Sequence, residues 1–324
     1  MKKVLVTRQL PQPAIDLLKQ YFEVDLYTEN RVIPREELLR RVEDKDGLLC
    51  LLTDNIDAEL MDKAKNLKIV ANYAVGYNNI DVAEATKRKI PVTNTPGVLT
   101  ETTADLAFAL LMSVARRIVE SDKFLREGKF KGWAPMLFLG NDIYGKTLGI
   151  IGFGRIGQAV AKRGLGFDMK ILYYDTNRVS VEIEQKYNAT FKSLDELLKE
   201  SDFISIHVPL VKETYHLISD REFSLMKPTA YLINTSRGPV VDEKALVRAL
   251  KDKKIAGAAL DVFEKEPEVE PELIDMPNTV LVPHIGSATI ETRTKMALMA
   301  AENIIAVLVH NKVPPNIVNP EIYK

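Results

Sequence analysis

Residues 147–175 read TLGIIGFGRIGQAVAKRGLGFDMKILYYD, and this stretch decides the fold. The apolar run Leu148-Gly149-Ile150-Ile151 predicts a buried strand, and Gly152, Gly154 and Gly157 follow it at the spacing G-x-G-x-x-G. A helical pattern begins at once. Ile156, Ala159, Val160 and Gly164 fall on one face that can pack back on a sheet. Lys170 to Tyr174 predicts a second strand, closed by Asp175. Each part meets a physical need of a bound dinucleotide. Gly152 permits the tight turn, Gly154 lets the backbone approach a pyrophosphate, and Gly157 lets helix and strand pack closely. The first N–H groups of the helix, which opens with Arg155 and Ile156, lack partners within it and carry its positive end toward phosphate. Asp175 lies about 20 residues past the glycines, where a carboxylate meets ribose hydroxyls. Thr176 and Arg178 continue that edge. Three glycines alone occur by chance. With strand, helix, second strand and acid all in place, a dinucleotide site outweighs a plain βαβ turn.

The chain has 324 residues, of which 46% are hydrophobic, which suits about two domains with sizeable cores. Its 44 basic and 45 acidic residues leave a formal charge of −1. That balance gives no electrostatic footprint for nucleic acid or an anionic membrane, so neither is expected as a partner. The longest apolar stretch, Ala107 to Ala115, falls short of the roughly 18–20 residues of a membrane span. Cys50 is the sole cysteine and sits inside Gly47-Leu48-Leu49-Cys50-Leu51-Leu52, where it reads as a small core hydrophobe. No disulfide framework or cysteine-rich metal site can be built, and no metal is expected. The N-terminal MKKVLVTRQLPQP lacks a signal-peptide core, which points to the cytoplasm.

Working outward, strand and helix patterns alternate on both sides of the glycine loop. Val4–Val6, Phe22–Tyr27, Leu48–Leu52, Lys68–Ala74 and Ile90–Val92 predict strands in the first part. Phe203–Val208, Tyr231–Asn234, Ala256–Val262 and Val280–Val282 do so in the second. The expectation is an α/β protein with two doubly wound parallel-sheet domains, Rossmann-like and flavodoxin-like. The first part has Thr7-Arg8-Gln9-Leu10-Pro11 where the second has its glycines, so substrate is its natural ligand. Two long helical stretches, Glu101 to Glu127 and Thr289 to Leu308, read as a hinge pair. They divide the chain into 1–98 plus 288–324 for substrate and 99–287 for the dinucleotide. Trp133, the sole tryptophan, lies in the poorly periodic stretch Gly128 to Gly145. The plain reading is a loop stapled to its own domain by the indole.

Three polar clusters follow predicted strands: His207-Val208-Pro209, Asn234-Thr235-Ser236-Arg237-Gly238 and Pro283-His284-Ile285-Gly286-Ser287. Ligands of open α/β sheets bind beyond the carboxyl ends of strands, so all three can line one crevice. Of four histidines, His216 and His310 read as surface residues. His207 and His284 each end an apolar run, and spacing leaves the general-acid role open between them. Arg237 presents a fork suited to a carboxylate, against the plainer reading of a surface arginine beside a helix. Glu264, Glu266 and Glu268 share one acidic loop, and spacing does not single one out.

The strings GKTLGIIGFGRIG, HVPL, NTSRGPVVDE, AALDVFEKEP and PHIGSAT resemble the NAD(P)-dependent D-2-hydroxyacid dehydrogenase family. So do ANYAVGYNNID and VTNTPGVLTETTADLAFALL, and the likeness spans the chain in the family's order. Within the family it is most similar to the glyoxylate/hydroxypyruvate reductases, partly through GWAPMLFLGNDIYGKTLG. The resemblance implies a catalytic trio of Arg237, Glu266 and His284. It moves His207, with Val208, Pro209 and Thr214, to the cofactor lining. It adds Thr235, Ser236, Gly286 and Ser287 there, with Asp261 beside the nicotinamide. Val75 and Gly76 would hold the substrate carboxylate with their amides, alongside Arg237 and His284. A small 2-oxo or 2-hydroxy acid is the implied substrate, NADH the preferred cofactor with NADPH possible, and the assembly a homodimer in which Trp133 reaches the partner subunit. D-3-phosphoglycerate dehydrogenase and an NADH-sensing corepressor on the same fold are the alternatives.

Overall fold

Apolar runs become central parallel strands buried on both faces, and the runs between them become covering helices. A computed structural model describes all 324 residues. The chain forms two compact units, residues 1–99 with 287–324 and residues 100–286.

In the first unit β1 (Lys3–Val6), β2 (Glu23–Leu26), β3 (Gly47–Cys50), β4 (Val70–Asn72) and β5 (Val92–Thr93) stand in the order β2-β1-β3-β4-β5, all parallel. Side chains alternate along each strand, so Val4 and Val6 enter one core while Leu5 enters the other. Cys50 is buried as expected. The helix Ile290–Leu308, capped by the Thr289 hydroxyl, lays Met296, Ala300 and Ile304 in the core with Val4, Val6 and Leu49.

The second unit holds β6 (Thr147–Ile151), β7 (Lys170–Tyr174), β8 (Ala189–Phe191), β9 (Phe203–Ile206), β10 (Tyr231–Asn234), β11 (Gly257–Leu260) and β12 (Thr279–Leu281). Their order is β12-β11-β10-β9-β6-β7-β8, again all parallel. The connection reverses direction between β6 and β9, the switch point beside which such sheets bind ligands.

Two expectations change. The stretch 101–127 is two helices, Thr100–Ala115 and Ile118–Arg126, not one long hinge helix. The Ala115 carbonyl accepts the Asn141 N–H (2.9 Å) instead of continuing the ladder, and Arg117 turns left-handed at φ 53°. The indole of Trp133 does not staple its loop, because the residue is 85% exposed. The helix Val181–Tyr187 and edge strand β8 went unread. The helix has seven residues, only partly buries Ile183 and Tyr187 on its inner face and puts Glu184 between them, and the strand has three residues, so no long apolar pattern announces them.

Candidate active site

The glycine loop leaves β6 through Gly152 at φ +91°, where a Cβ would fall 2.7 Å from the His207 carbonyl carbon. A Cβ on Gly157 would fall 2.2 Å from the Gly152 carbonyl oxygen, so helix Arg155–Leu165 can start against the strand only without one. At Gly154 the same position faces open space, and no side chain caps the helix's first turn. Phe153 points inward and stacks on Tyr173 with centroids 4.3 Å apart. Asp175 accepts the Phe153 N–H (2.8 Å) through one oxygen, and the other faces the Thr176 hydroxyl at 3.3 Å. Asp175 and Thr176 border a cavity of about 650 Å³ with Thr190, Phe191 and Lys192. Arg178 turns its guanidinium onto Glu184. An open glycine, an uncapped helix start and a carboxylate at the end of the next strand fit a dinucleotide.

Burial separates the two histidines that spacing left open. His207 Nε2 lies 2.8 Å from the Ser205 hydroxyl, and Nδ1 is buried with no partner. The residue as a whole is half-buried, but its ring is out of water, and this desolvation pulls its pKa down to about 3. Its surroundings favour the neutral ring. The following Pro209 carbonyl accepts the Thr214 hydroxyl (2.6 Å), which in turn accepts the Val211 N–H (2.9 Å) and closes the loop. The Thr235 hydroxyl after β10 is also buried without a partner.

Arg237, Glu266 and His284 come together at the carboxyl ends of β10, β11 and β12. Asn234 folds the first turn: its amide oxygen accepts the Ser236 N–H (3.0 Å) and hydroxyl (2.8 Å), and its amide donates to the Arg237 carbonyl (3.0 Å). The Arg237 guanidinium donates to the Ser236 carbonyl at 2.7 Å. Burial pulls its pKa down, opposed by the charge of Glu266. A Cβ on Gly238 would lie 1.8 Å from the Phe263 carbonyl oxygen, so this turn rests directly on the loop that carries Glu266. Glu266 accepts the Phe263 N–H (3.1 Å) with one oxygen and meets His284 Nδ1 at 2.8 Å with the other. Burial alone would raise the Glu266 carboxyl. The His284 bond, the Phe263 N–H and Arg237 outweigh it and hold the group below its ordinary range.

His284 sits in a left-handed backbone conformation, φ 54°. Asp261, buried at the end of β11, fixes the next residues by accepting the Ile285 N–H (2.6 Å) and the Gly286 N–H (2.8 Å). Desolvation raises its pKa against those bonds and the His284 charge. With Glu266 on Nδ1, the His284 ring presents Nε2 for proton transfer. A half-buried arginine and an acid-paired imidazole can together grip a carboxylate and protonate a neighbouring oxygen.

His216 is not a bare surface residue. Its ring stacks on Tyr215 and reaches Glu264 at 3.0 Å. Sequence reading also missed Glu243, a buried acid whose carboxylate accepts the Glu264 N–H and the Glu270 N–H and so brackets the Glu266 loop. Its signal was an acid at the first turn of helix Glu243–Lys251, and nothing in the spacing told which loop it would hold. Ser287, Val75 and Gly76 belong to the first unit. There Asn94 and Asn72 donate to the Val75 and Gly76 carbonyls at 2.8 and 2.9 Å.

The family model of the D-isomer specific 2-hydroxyacid dehydrogenase NAD binding domain matches residues 108–286. A glyoxylate reductase of Thermococcus gammatolerans is 56% identical over 326 residues, covering 99% of this chain and 97% of that one. A solved protein of Thermus thermophilus superposes with a TM-score of 0.93 at 48% identity, over 98% of this chain and 99% of the other. An NADPH-dependent glyoxylate/hydroxypyruvate reductase from Sinorhizobium meliloti, solved with NADP and malonate, gives a TM-score of 0.85 at 33% identity over 98% and 96% of the two chains.

Proposed function

The chain belongs to the D-isomer specific 2-hydroxyacid dehydrogenase family, NAD(P)-linked oxidoreductases, and from that premise we propose that it reduces glyoxylate, with hydroxypyruvate beside it, to the 2-hydroxy acids using NADH. The observation that carries this reading is the His284–Glu266 pair with Arg237 in the adjoining turn.

In this mechanism Gly154, the N-terminus of helix Arg155–Leu165 and Asp175 hold the dinucleotide, which supplies the hydride when bound. Arg237 grips the substrate carboxylate and polarises the C2 carbonyl, favouring the negative charge that builds on oxygen in the transition state. His284 gives that oxygen its proton from Nε2. Glu266 fixes the ring through Nδ1 and balances the charge it carries before the transfer. His207 stays neutral and shapes the wall of the cofactor site.

A homodimer and a cytoplasmic location complete the proposal. Helix Ile118–Arg126 buries none of its residues, and the loop after it exposes Phe130, Trp133, Met136 and Leu139. An apolar band of that kind suits a partner subunit. The free, buried Cys50 thiol suits a reducing compartment, where NADH is also found.

Glyoxylate, hydroxypyruvate, pyruvate and 3-phosphohydroxypyruvate, each assayed with NADH and NADPH, test the reading. Fastest turnover is expected for glyoxylate or hydroxypyruvate with NADH. Preference for the phosphorylated acid would replace the substrate assignment, and NADH binding without turnover of any acid would mark a sensor.

A further inference from the structure

Arg178 closes the segment Asp175-Thr176-Asn177-Arg178, the edge read above as meeting the ribose. An arginine at this edge is what accommodates a ribose 2′-phosphate in dinucleotide folds. Here the side chain is already committed. Its Nε donates to one Glu184 oxygen and its Nη2 to the other, each at 2.8 Å, which is the two-pronged fit of guanidinium to carboxylate. Glu184 is fixed in turn, with its side chain 11% exposed and the Tyr173 hydroxyl donating to it at 2.6 Å. The same hydroxyl accepts the Val179 N–H at 3.2 Å, so the backbone just past Arg178 is tied to the same point. Above, the guanidinium carbon stands 5.9 Å from the ring centre of Phe191, a wall of the cavity that Asp175 and Thr176 border. Lys192, another cation on that wall, bonds to Glu200 at 2.7 Å. Both cations are answered by carboxylates, while Asp175 faces the cavity with its charge.

We propose that Glu184 is a selectivity residue. By holding Arg178 it withholds that charge from a 2′-phosphate and leaves Asp175 unopposed, so that NADH is taken in preference to NADPH. Glu184 acts through Arg178 and is therefore a positioning residue, on a helix outside the glycine loop. The proposal rests on the dinucleotide reading above and deepens it. It also makes the preference sharper than the segment alone implies, because the one arginine of that segment is occupied by Glu184.

The test is a fluorescence titration of NADH and NADPH, which reads binding without turnover, on the full-length protein and three variants. Glu184→Gln keeps the side-chain length and removes the charge, and Glu184→Ala removes the clamp altogether. A freed charge-assisted bond to phosphate amounts to roughly tenfold in affinity, so the Kd for NADPH relative to NADH should fall by about that factor in both. Adding Arg178→Ala to Glu184→Gln should return the ratio to the wild-type value, which a general loosening of the helix would not do. A ratio unmoved in both single variants, or a shift that survives removal of Arg178, overturns the role of Glu184 while NADH binding stays in place. Failure of the unaltered protein to bind either dinucleotide overturns the site reading and this proposal together.

Discussion

A proton donor that works near neutral pH must recover its proton between turnovers, and a buried imidazole with a pKa near 3 cannot. These surroundings argue against His207 as the donor, and the 2.8 Å contact with Glu266 supports the proposed role of His284. His284→Gln is expected to lower kcat by about 10²- to 10⁴-fold while leaving the Kd for NADH nearly unchanged. Near-normal turnover in that variant, with His207→Gln inactive, would reverse the assignment. His207 has a second consequence, for stability. Its ordinary pKa is 6.5 and its folded value about 3, so between these the unfolded chain binds a proton that the native one refuses. Unfolded binding exceeds native binding, and stability rises with pH across that window. Acidification from pH 6.5 toward 3 should therefore cost up to roughly a few kcal/mol through this one residue. Urea denaturation of the wild type and His207→Asn across that range measures it. The variant should show the shallower pH dependence, and equal slopes would mean that the ring is solvated.

At the scale of elements, two glycines in turns after strands have opposite tasks. Gly238 is closed in, with the Phe263 carbonyl where a Cβ would stand, whereas Gly154 faces open space. Gly238→Ala must push the Arg237 turn off the Glu266 loop, at about 1–3 kcal/mol of overpacking. Both Tm and kcat should fall. Gly154→Ala meets no protein atom, so Tm should hold while NADH affinity drops, by about tenfold for one lost backbone approach to phosphate. Loss of stability without loss of binding in Gly154→Ala would remove that glycine from the cradle. This contrast also marks what the sequence could tell. The spacing of Gly152, Gly154 and Gly157 between two apolar runs announced the βαβ unit, because strand burial and helix packing leave periodic apolar marks. Gly238, Glu243 and the break at Arg117 leave none. Each depends on a backbone group distant in the chain: the Phe263 carbonyl, the Glu264 N–H and the Asn141 N–H. Glu266 could not be told from Glu264 or Glu268 by spacing for the same reason, since its distinction is a 2.8 Å contact with His284.

For the whole molecule, the second unit leaves a cost exposed that its own core does not relieve. Ile118, Val119 and Leu125 on one helix, and Phe130, Trp133, Met136 and Leu139 in the loop beyond, are all exposed. Side chains of this size stabilise by roughly 1.5–3 kcal/mol each when moved from water into an apolar contact. Burying several of them would offset part of the cost of association, and in the proposed homodimer a second copy of the same band is the partner that is always present at equal concentration. A closed two-fold pair is the simplest arrangement that buries the band on both copies. Sedimentation equilibrium should therefore give twice the 36.4 kDa chain mass at micromolar concentration. The double variant Leu125→Glu/Trp133→Glu should shift it to the monomer. Because dimerisation adds to stability by mass action, the wild-type Tm should rise with protein concentration and the variant's should not. A wild-type protein that sediments as an active monomer, with a Tm independent of concentration, would show that the band has another purpose and remove the homodimer from the proposal.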